Sequence, residues 1–435
     1  MKKLSIPIVM LVALWTVFSC SKKADVVPAA PVSNPITSSQ LTGFLKGTLL
    51  TSVGTYYLAG DVYVKNTDSL IVQPGVTVKA MSGGSSTDPN NANFVSYAIH
   101  CSGTLLVNGT KAKPVIFTTN ASAPAWPNGY WGGIQCDSTC KYVNIQWAEI
   151  SYTGGPDVVG GSQYAFSVQG VSSGHNGGKF SSNTIAIVEN CKFFSGIDDC
   201  LRLMGPIQVS IKGNYIALEG SNDGDNINIK LGVTGDVAYN YIWSAANNST
   251  KLETSLTILA PVTKVNIYNN TYVSGGWRKQ GETTAGVLVD TYADGTVYNN
   301  LFVNCQRGLR ITALAKSTVL SNYNNNMFYT TGPDSLKNFF YPATDKGVAQ
   351  SHDILNQDPL FKTLDKVNYS AFSGFIQVLT DPNNVAIQSG SPAIGKGNTS
   401  APSTTGLPGQ SAGFAPGKDI GAYQSDGTGN QVIRQ

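Results

Sequence analysis

The chain writes "IYNNTYVSG" at 267–275 and "VYNNLFVNC" at 297–305, a double asparagine ahead of a short apolar run, twice at an interval of 30. The pattern continues on both sides. Asn214, Asn240, Asn270, Asn300 and Asn326 form a series with steps of 26, 30, 30 and 26, and Cys191 holds the equivalent place 23 residues before Asn214. A period of this length restricts the chain to a solenoid, a propeller or an array. The material inside each repeat is short β-type runs broken by Gly, Asn, Ser and Thr, with no long segment of 3.6 periodicity, which excludes helical repeats.

A second register runs beside the first. "CLRLM" (200–204), "NINIK" (226–230), "SLTIL" (255–259), "GVLVD" (286–290) and "GLRIT" (308–312) each alternate two apolar residues. Leu201, Ile227, Leu256, Val287 and Leu309 are expected to face one way, as are Leu203, Ile229, Ile258, Val289 and Ile311. Period-two alternation repeated at the asparagine interval fits an all-β, single-stranded parallel β-helix, in which each coil adds one strand to each of several sheets. The asparagines then form a turn ladder, adopting the left-handed conformation and bonding their copies above and below.

Composition agrees with an elongated β-solenoid: 13% charged residues and 46 glycines in 435. The N-terminus reads as a targeting segment, with a basic "MKK", an apolar run to Phe18, then Ser19 and Cys20. "VFSC" is similar to a bacterial lipobox, which implies a signal peptide at 1–19 and a lipidated Cys20; an ordinary secretory signal is the alternative. The Pro-, Ala- and Ser-rich stretch that follows reads as a tether over 20–40, with no later segment apolar and long enough to span a bilayer. Coils are expected over 41–332, less regular C-terminal coils closing the open end over 333–425, and a tail over 426–435. Removing 1–19 takes away Lys2 and Lys3 and leaves 27 basic against 26 acidic residues, so nothing favours nucleic acid as a partner. Six further cysteines allow 15 disulfide connectivities, which the sequence leaves open. "CDSTC" at 136–140 lacks a second pair or a nearby histidine and reads as small cysteines in a solenoid core.

"YYLAGDVYVKNTDSLIVQPGVTVKA" (56–80), "GTLLVNGTKAKPVIFTT" (103–119) and "GYWGGIQ" (129–135), with "NQDPLF" (356–361), "SPAIGKG" (391–397) and "KDIGAYQ" (418–424), resemble right-handed parallel β-helix lipoproteins of Bacteroidetes type, within the pectate-lyase-like superfamily. The resemblance implies a right-handed coil, export, and residence in the cell envelope as an outer-membrane lipoprotein that touches the membrane only through its lipid. It leaves activity open, because such a fold carries lyases, hydrolases and binding proteins alike.

The stretch 196–230 carries the candidate chemistry. Asp199 stands 15 residues before Asn214 and Asp225 15 before Asn240, so the two occupy one place in successive coils, about 4.8 Å apart. Stacked carboxylates repel, so one is protonated or a cation lies between them. Asp198, Asp223 and Glu253 flank them, and oxygen-rich ligands without histidine point to calcium as the cofactor. Arg202 and Lys230 follow on outward-facing positions. "DGDNINIK" is similar to the acidic-plus-lysine segments of pectate-lyase-type β-helices, which implies β-elimination of an acidic polysaccharide with Asp225 as a calcium ligand and Lys230 as base. "GIDDC" is similar to an element of the polygalacturonases, but the histidine and "RIK" segments that go with it are missing, so hydrolysis ranks below elimination. Trp277, Arg278 and Lys279 in "SGGWRKQGE", with Arg310, are candidates to stack on a sugar and hold its carboxylate. Arg307 is a further candidate for the basic groove, and His175 reads as a solvated loop residue. Against all this stands a plainer reading, in which Asp, Asn and Gly serve turns only and the chain is a non-catalytic glycan-binding or structural protein.

Overall fold

The computed structural model describes residues 34–84, 86–156, 164–169, 183–221, 223–254, 261–279, 283–331, 345–365 and 380–432. Apart from one 3₁₀ turn at Ser317–Ser321, the regular elements among them are β-strands. Nearly all pair in parallel, and each coil visits three ladders in turn. One coil runs Leu201–Met204, Gln208–Lys212, Tyr215–Ala217, and the next runs Ile227–Lys230, Thr234–Ala238, Tyr241–Trp243. The ladder holding Gln208–Lys212 is called sheet I, that holding Tyr215–Ala217 sheet II, and that holding Leu201–Met204 sheet III. In-register pairing carries each ladder through successive coils. This is the parallel β-helix expected from the repeat, right-handed as the resemblance implies.

The core is a set of side-chain columns down the coil axis. In sheet III, Leu203 pairs with Ile229, Ile229 with Leu252, Leu252 with Val289 and Val289 with Ile311, all buried. In sheet II, Tyr272, Phe302 and Phe328 stack with ring centroids 5.1 and 4.9 Å apart. The strands of the three ladders thus supply apolar side chains to one continuous interior, and burial of that stack is the main force holding the coils together.

One strand differs from the sequence reading. The coil between Ile227 and Val287 uses Thr250–Glu253 in sheet III, not "SLTIL"; residues 255–260 lie outside the described set. The more apolar pentapeptide drew the assignment, but the neighbouring register selects Thr250 and Leu252 for the interior.

The asparagine ladder lies at the corner between sheets I and II. The Nδ2 of Asn214, Asn240, Asn270 and Asn300 donates to the Oδ1 of the next asparagine at 2.9, 3.0, 2.9 and 3.1 Å. That same Oδ1 also accepts the preceding asparagine's backbone N–H. Cys191 donates its N–H to Asn214 at one end, and Asp353 accepts from the Asn326 N–H at the other. The left-handed conformation belongs to the residue before each rung: Asn190, Gly213, Tyr239, Asn269, Asn299 and Asn325 all have φ between 52° and 66°. The double asparagine is therefore a division of labour. The first residue tolerates positive φ, and the second supplies the ladder.

The C-terminal part extends the coil only through Ile354–Leu355, which pairs with Met327–Tyr329. Beyond it the chain doubles back along the outside. Asn398 bonds Asn299, Thr404 bonds Asp236, Ser411 bonds Glu189, and Gly409 lies against Tyr142. Phe414 packs on Tyr239. Residues 398–414 thus form a strap over the outer face of sheet I, rather than only closing an end. No helix among the described residues is long and apolar enough to cross a membrane, and residues 1–33, with Cys20, lie outside the described set.

Candidate functional site on the outer face of sheet III

The strap covers sheet I, and the expected site residues gather on sheet III. Alternation along Leu201–Met204 turns Leu201 and Leu203 inward and sends Arg202 and Met204 out. Arg202 pairs in register with Asn228 and Asn228 with Lys251, while Lys230 pairs with Glu253. The outward surface of three consecutive coils therefore brings together Arg202, Lys230, Lys251 and Glu253. Tyr164 covers one edge, with its ring 4.8 Å from the Arg202 guanidinium.

Asp199 and Asp225 do occupy one place in successive coils, and their carboxylates act as a second polar ladder. Asp199 Oδ1 accepts the Asp225 N–H at 2.7 Å. Asp225 Oδ1 accepts the N–H and Nδ2 of Asn248 at 3.0 and 2.9 Å, and Asn248 Oδ1 accepts the Ala285 N–H at 2.9 Å. The other oxygen of Asp199 binds Arg202 Nη1 at 2.9 Å and Asn228 Nδ2 at 2.8 Å. Both acids are buried.

Their repulsion is relieved from within the chain. Burial, and then Asp199, push the Asp225 carboxyl up to about 6. Lys251 opposes that rise, and its Nζ lies 3.1 Å from Glu253 Oε2. Burial alone would lower the Lys251 ammonium's pKa, but Asp225 and Glu253 outweigh it and hold it above the ordinary value. Glu253 is shared, since Lys230 Nζ also lies 3.1 Å from Oε2. Burial would push its carboxyl up, yet Lys251 and Lys230 together keep it below the usual range.

This charge pattern bears on calcium. Among the described residues, no three of Asp198, Asp199, Asp223, Asp225 and Glu253 bring one carboxylate oxygen each within 4.8 Å of one another. Asp198 Oδ1 accepts the Asp199 N–H, and Asp223 receives Lys279 at 2.8 and 2.9 Å. The donors that a bare cluster would need from a cation come from Arg202, Lys251 and Lys279. The five acids do not fit a calcium cage.

The flanking candidates separate. Arg278 is 5% exposed, and its guanidinium donates to the carbonyls of Ser221, Ser244, Glu219 and Gly220 and to Ser244 Oγ. Burial pushes it down to about 9. It clamps the turns leading into sheet III and presents no donor to a ligand. Trp277 Nε1 donates to the Asn304 carbonyl at 2.7 Å. Arg310 stands on the outward column, bound to Asp345 at 2.6 Å and to the Thr283 carbonyl. Arg307 donates to the Gln306 carbonyl. His175 lies outside the described residues. Lys251 and Tyr164 are the residues that sequence reasoning missed. The signal for Lys251 was the alternation Thr250, Lys251, Leu252, Glu253, masked by the more apolar run after it.

A test of this electrostatic account follows from Asp225. Its folded pKa lies above that of an unfolded aspartate, about 3.9. The native state therefore binds the extra proton, and this contribution to stability is present below pH about 4 and lost as pH rises to about 6. Asn248 occupies the same rung one coil on, so an amide fits there. Asp225→Asn is expected to remove this part of the pH dependence, and its urea midpoint relative to wild type should improve as pH rises from 4 to 7. A constant difference across that range would refute the assignment.

The comparisons with known proteins agree with the architecture. A family described as "Pectate-lyase like beta helix domain" matches residues 43–338. No curated protein and no solved structure matches the chain. With coils, ladder and matched span in agreement over more than half of its length, the chain belongs to the pectate-lyase-like β-helix family.

Proposed function

We propose that the chain is an exported, lipid-anchored β-helix protein of the cell envelope that binds an acidic polysaccharide along the outer face of sheet III. The observation that carries this reading is the grouping of Arg202, Lys230 and Lys251, three long cations on the outward face of three consecutive strands, away from the strap over sheet I. Uronate carboxylates arriving there meet a guanidinium fixed by Asp199 and ammonium groups gathered around Glu253. Tyr164 offers a ring edge for a sugar beside them. The family supports a carbohydrate-related role in general terms.

Polygalacturonate binding to the purified full-length protein tests the reading. Arg202→Ala and Lys230→Ala are each expected to weaken binding about tenfold, the loss shrinking as salt rises. Unchanged affinity in both, with folding retained, would overturn it. Preference for a neutral polymer would do the same.

A second reading, β-elimination, is favoured by the placement of an amine and a guanidinium on adjacent strands, with Lys230 taking the proton beside the substrate carboxylate and Arg202 neutralising that carboxylate. Ultraviolet-absorbing unsaturated products, lost in Lys230→Ala, are its signature; their absence leaves binding alone. Calcium has no place in either reading. Calorimetric titration with calcium is expected to be flat, and a saturable isotherm lost in Asp225→Asn would reverse that inference.

A further inference from the structure

The coils near the N-terminal end hold a cluster that the polysaccharide reading does not use. Cys101 ends the sheet III strand Ile99–Cys101, and Cys136 ends the next, Ile134–Cys136; the two pair in register. Their column continues to Val64 on one side and Val168 on the other, all buried. Cys140 comes from elsewhere, the turn after Cys136, and its Sγ lies 3.2 Å from the Gly103 carbonyl. All three sulfurs lie within 4.8 Å of one another, and no other group of three metal-ligating side chains converges so closely among the described residues. Cys191, Cys200 and Cys305 are equally buried and belong to no such group.

We propose that Cys101, Cys136 and Cys140 form a trigonal thiolate site for a soft monovalent metal ion, copper(I). Three sulfurs at about 2.3 Å from a central ion are about 4 Å apart, within the observed spread. Zinc takes a fourth ligand, and neither histidine nor carboxylate joins the group. The neighbouring Asp137 is engaged with Ser102 and Thr139. Val64 and Val168, buried on either side of the cysteine pair in its column, supply no further ligand, which suits the low coordination number of a thiolate-bound monovalent ion. Binding forms metal–sulfur bonds and releases thiol protons to solvent, with no change in oxidation state. The turn Asp137–Lys141 is the route of entry, since Asp137 and Lys141 are exposed beside Cys140.

The experiment uses reduced full-length protein under anaerobic conditions, titrated with copper(I) against a chromophoric copper(I) chelator. One equivalent is expected to resist the chelator. Cys101→Ser, Cys136→Ser and Cys140→Ser should each lower affinity by more than the ten- to hundredfold that an outer-shell change costs, while Cys305→Ser leaves it unchanged. Loss in Cys20→Ser instead of the trio would overturn the proposal. Because a core cysteine variant can fail to fold, X-ray absorption on the unchanged protein gives an independent arm. A shell of three sulfurs supports the site; nitrogen or oxygen ligands refute it. A disulfide joining two of the three thiols in protein purified without reductant also refutes it.

Discussion

Asp236→Ala is expected to lower stability by about 3–5 kcal/mol, the cost of stranding one member of a buried ion pair. Asp236 is fully buried in sheet I, and its Oδ2 receives Lys212 Nζ at 2.7 Å, with Lys212 only 2% exposed. Tyr268 Oη donates to the same oxygen at 3.0 Å, and Asn266 Nδ2 to the other at 2.9 Å. The strap closes over them, with the Thr404 N–H donating to both oxygens at 2.9 and 2.8 Å. Alanine leaves the Lys212 ammonium facing only the Thr404 carbonyl at 3.4 Å and the Tyr268 ring, 5.7 Å from its centroid. The urea midpoint should fall accordingly, and limited proteolysis should open the strap around Thr404 first. Replacing both members, as Lys212→Met with Asp236→Leu, should recover much of the loss, because no charge is then left buried. A single variant within 1 kcal/mol of wild type would show that the strap and its ion pair contribute little.

That ion pair was invisible in the sequence, and the reason is physical. Lys212 and Asp236 sit at related places in successive coils, but nothing in a coil repeat says which face a distant segment will cover. The segments "SPAIGKG" and "KDIGAYQ" on either side of the strap could be recognised as closing segments without revealing which face the chain between them covers. The Asn214–Asn326 column, by contrast, was legible because its period is the coil itself and each rung needs the same side chain. Asp199 and Asp225 were placed correctly relative to one another for the same reason. What they bind was not legible, because Lys251 belonged to a strand whose alternation is weak beside the apolar run that follows. Arg278 shows the general limit: an arginine in a loop looks like a ligand donor until the carbonyls of Glu219, Gly220, Ser221 and Ser244 are seen converging on it. Cys101 joins Cys136 and Cys140 only through the pairing of strands, so "CDSTC" by itself showed two of three.

Asn270→Ala is expected to cost about 3–5 kcal/mol, more than a hydrogen-bond count alone suggests. Its Oδ1 accepts the N–H and Nδ2 of Asn240 at 2.9 and 3.0 Å, and its Nδ2 donates to the Val237 and Tyr268 carbonyls and to Asn300 Oδ1. Alanine deprives the Asn240 N–H of its acceptor in a corner with no exposure, and each buried group so stranded costs about 1–3 kcal/mol. The void left by the amide adds to the loss. Asn270→Asp fills the space but sets a carboxylate oxygen, an acceptor, against the Val237 and Tyr268 carbonyls and Asn300 Oδ1, so it should be no better. The position matters as well. Asn326 passes its N–H to Asp353, an acceptor that suits the end of the ladder because no further rung needs a donor from it. A rung in the middle has partners on both sides, so its loss divides the stack. Urea unfolding followed by two probes should show a lower midpoint for Asn270→Ala, with the transitions at the two ends of the coil beginning to separate. A coincident transition shifted by less than 1 kcal/mol would mean that the stacked apolar columns alone hold successive coils together, and that the ladder follows their register without enforcing it.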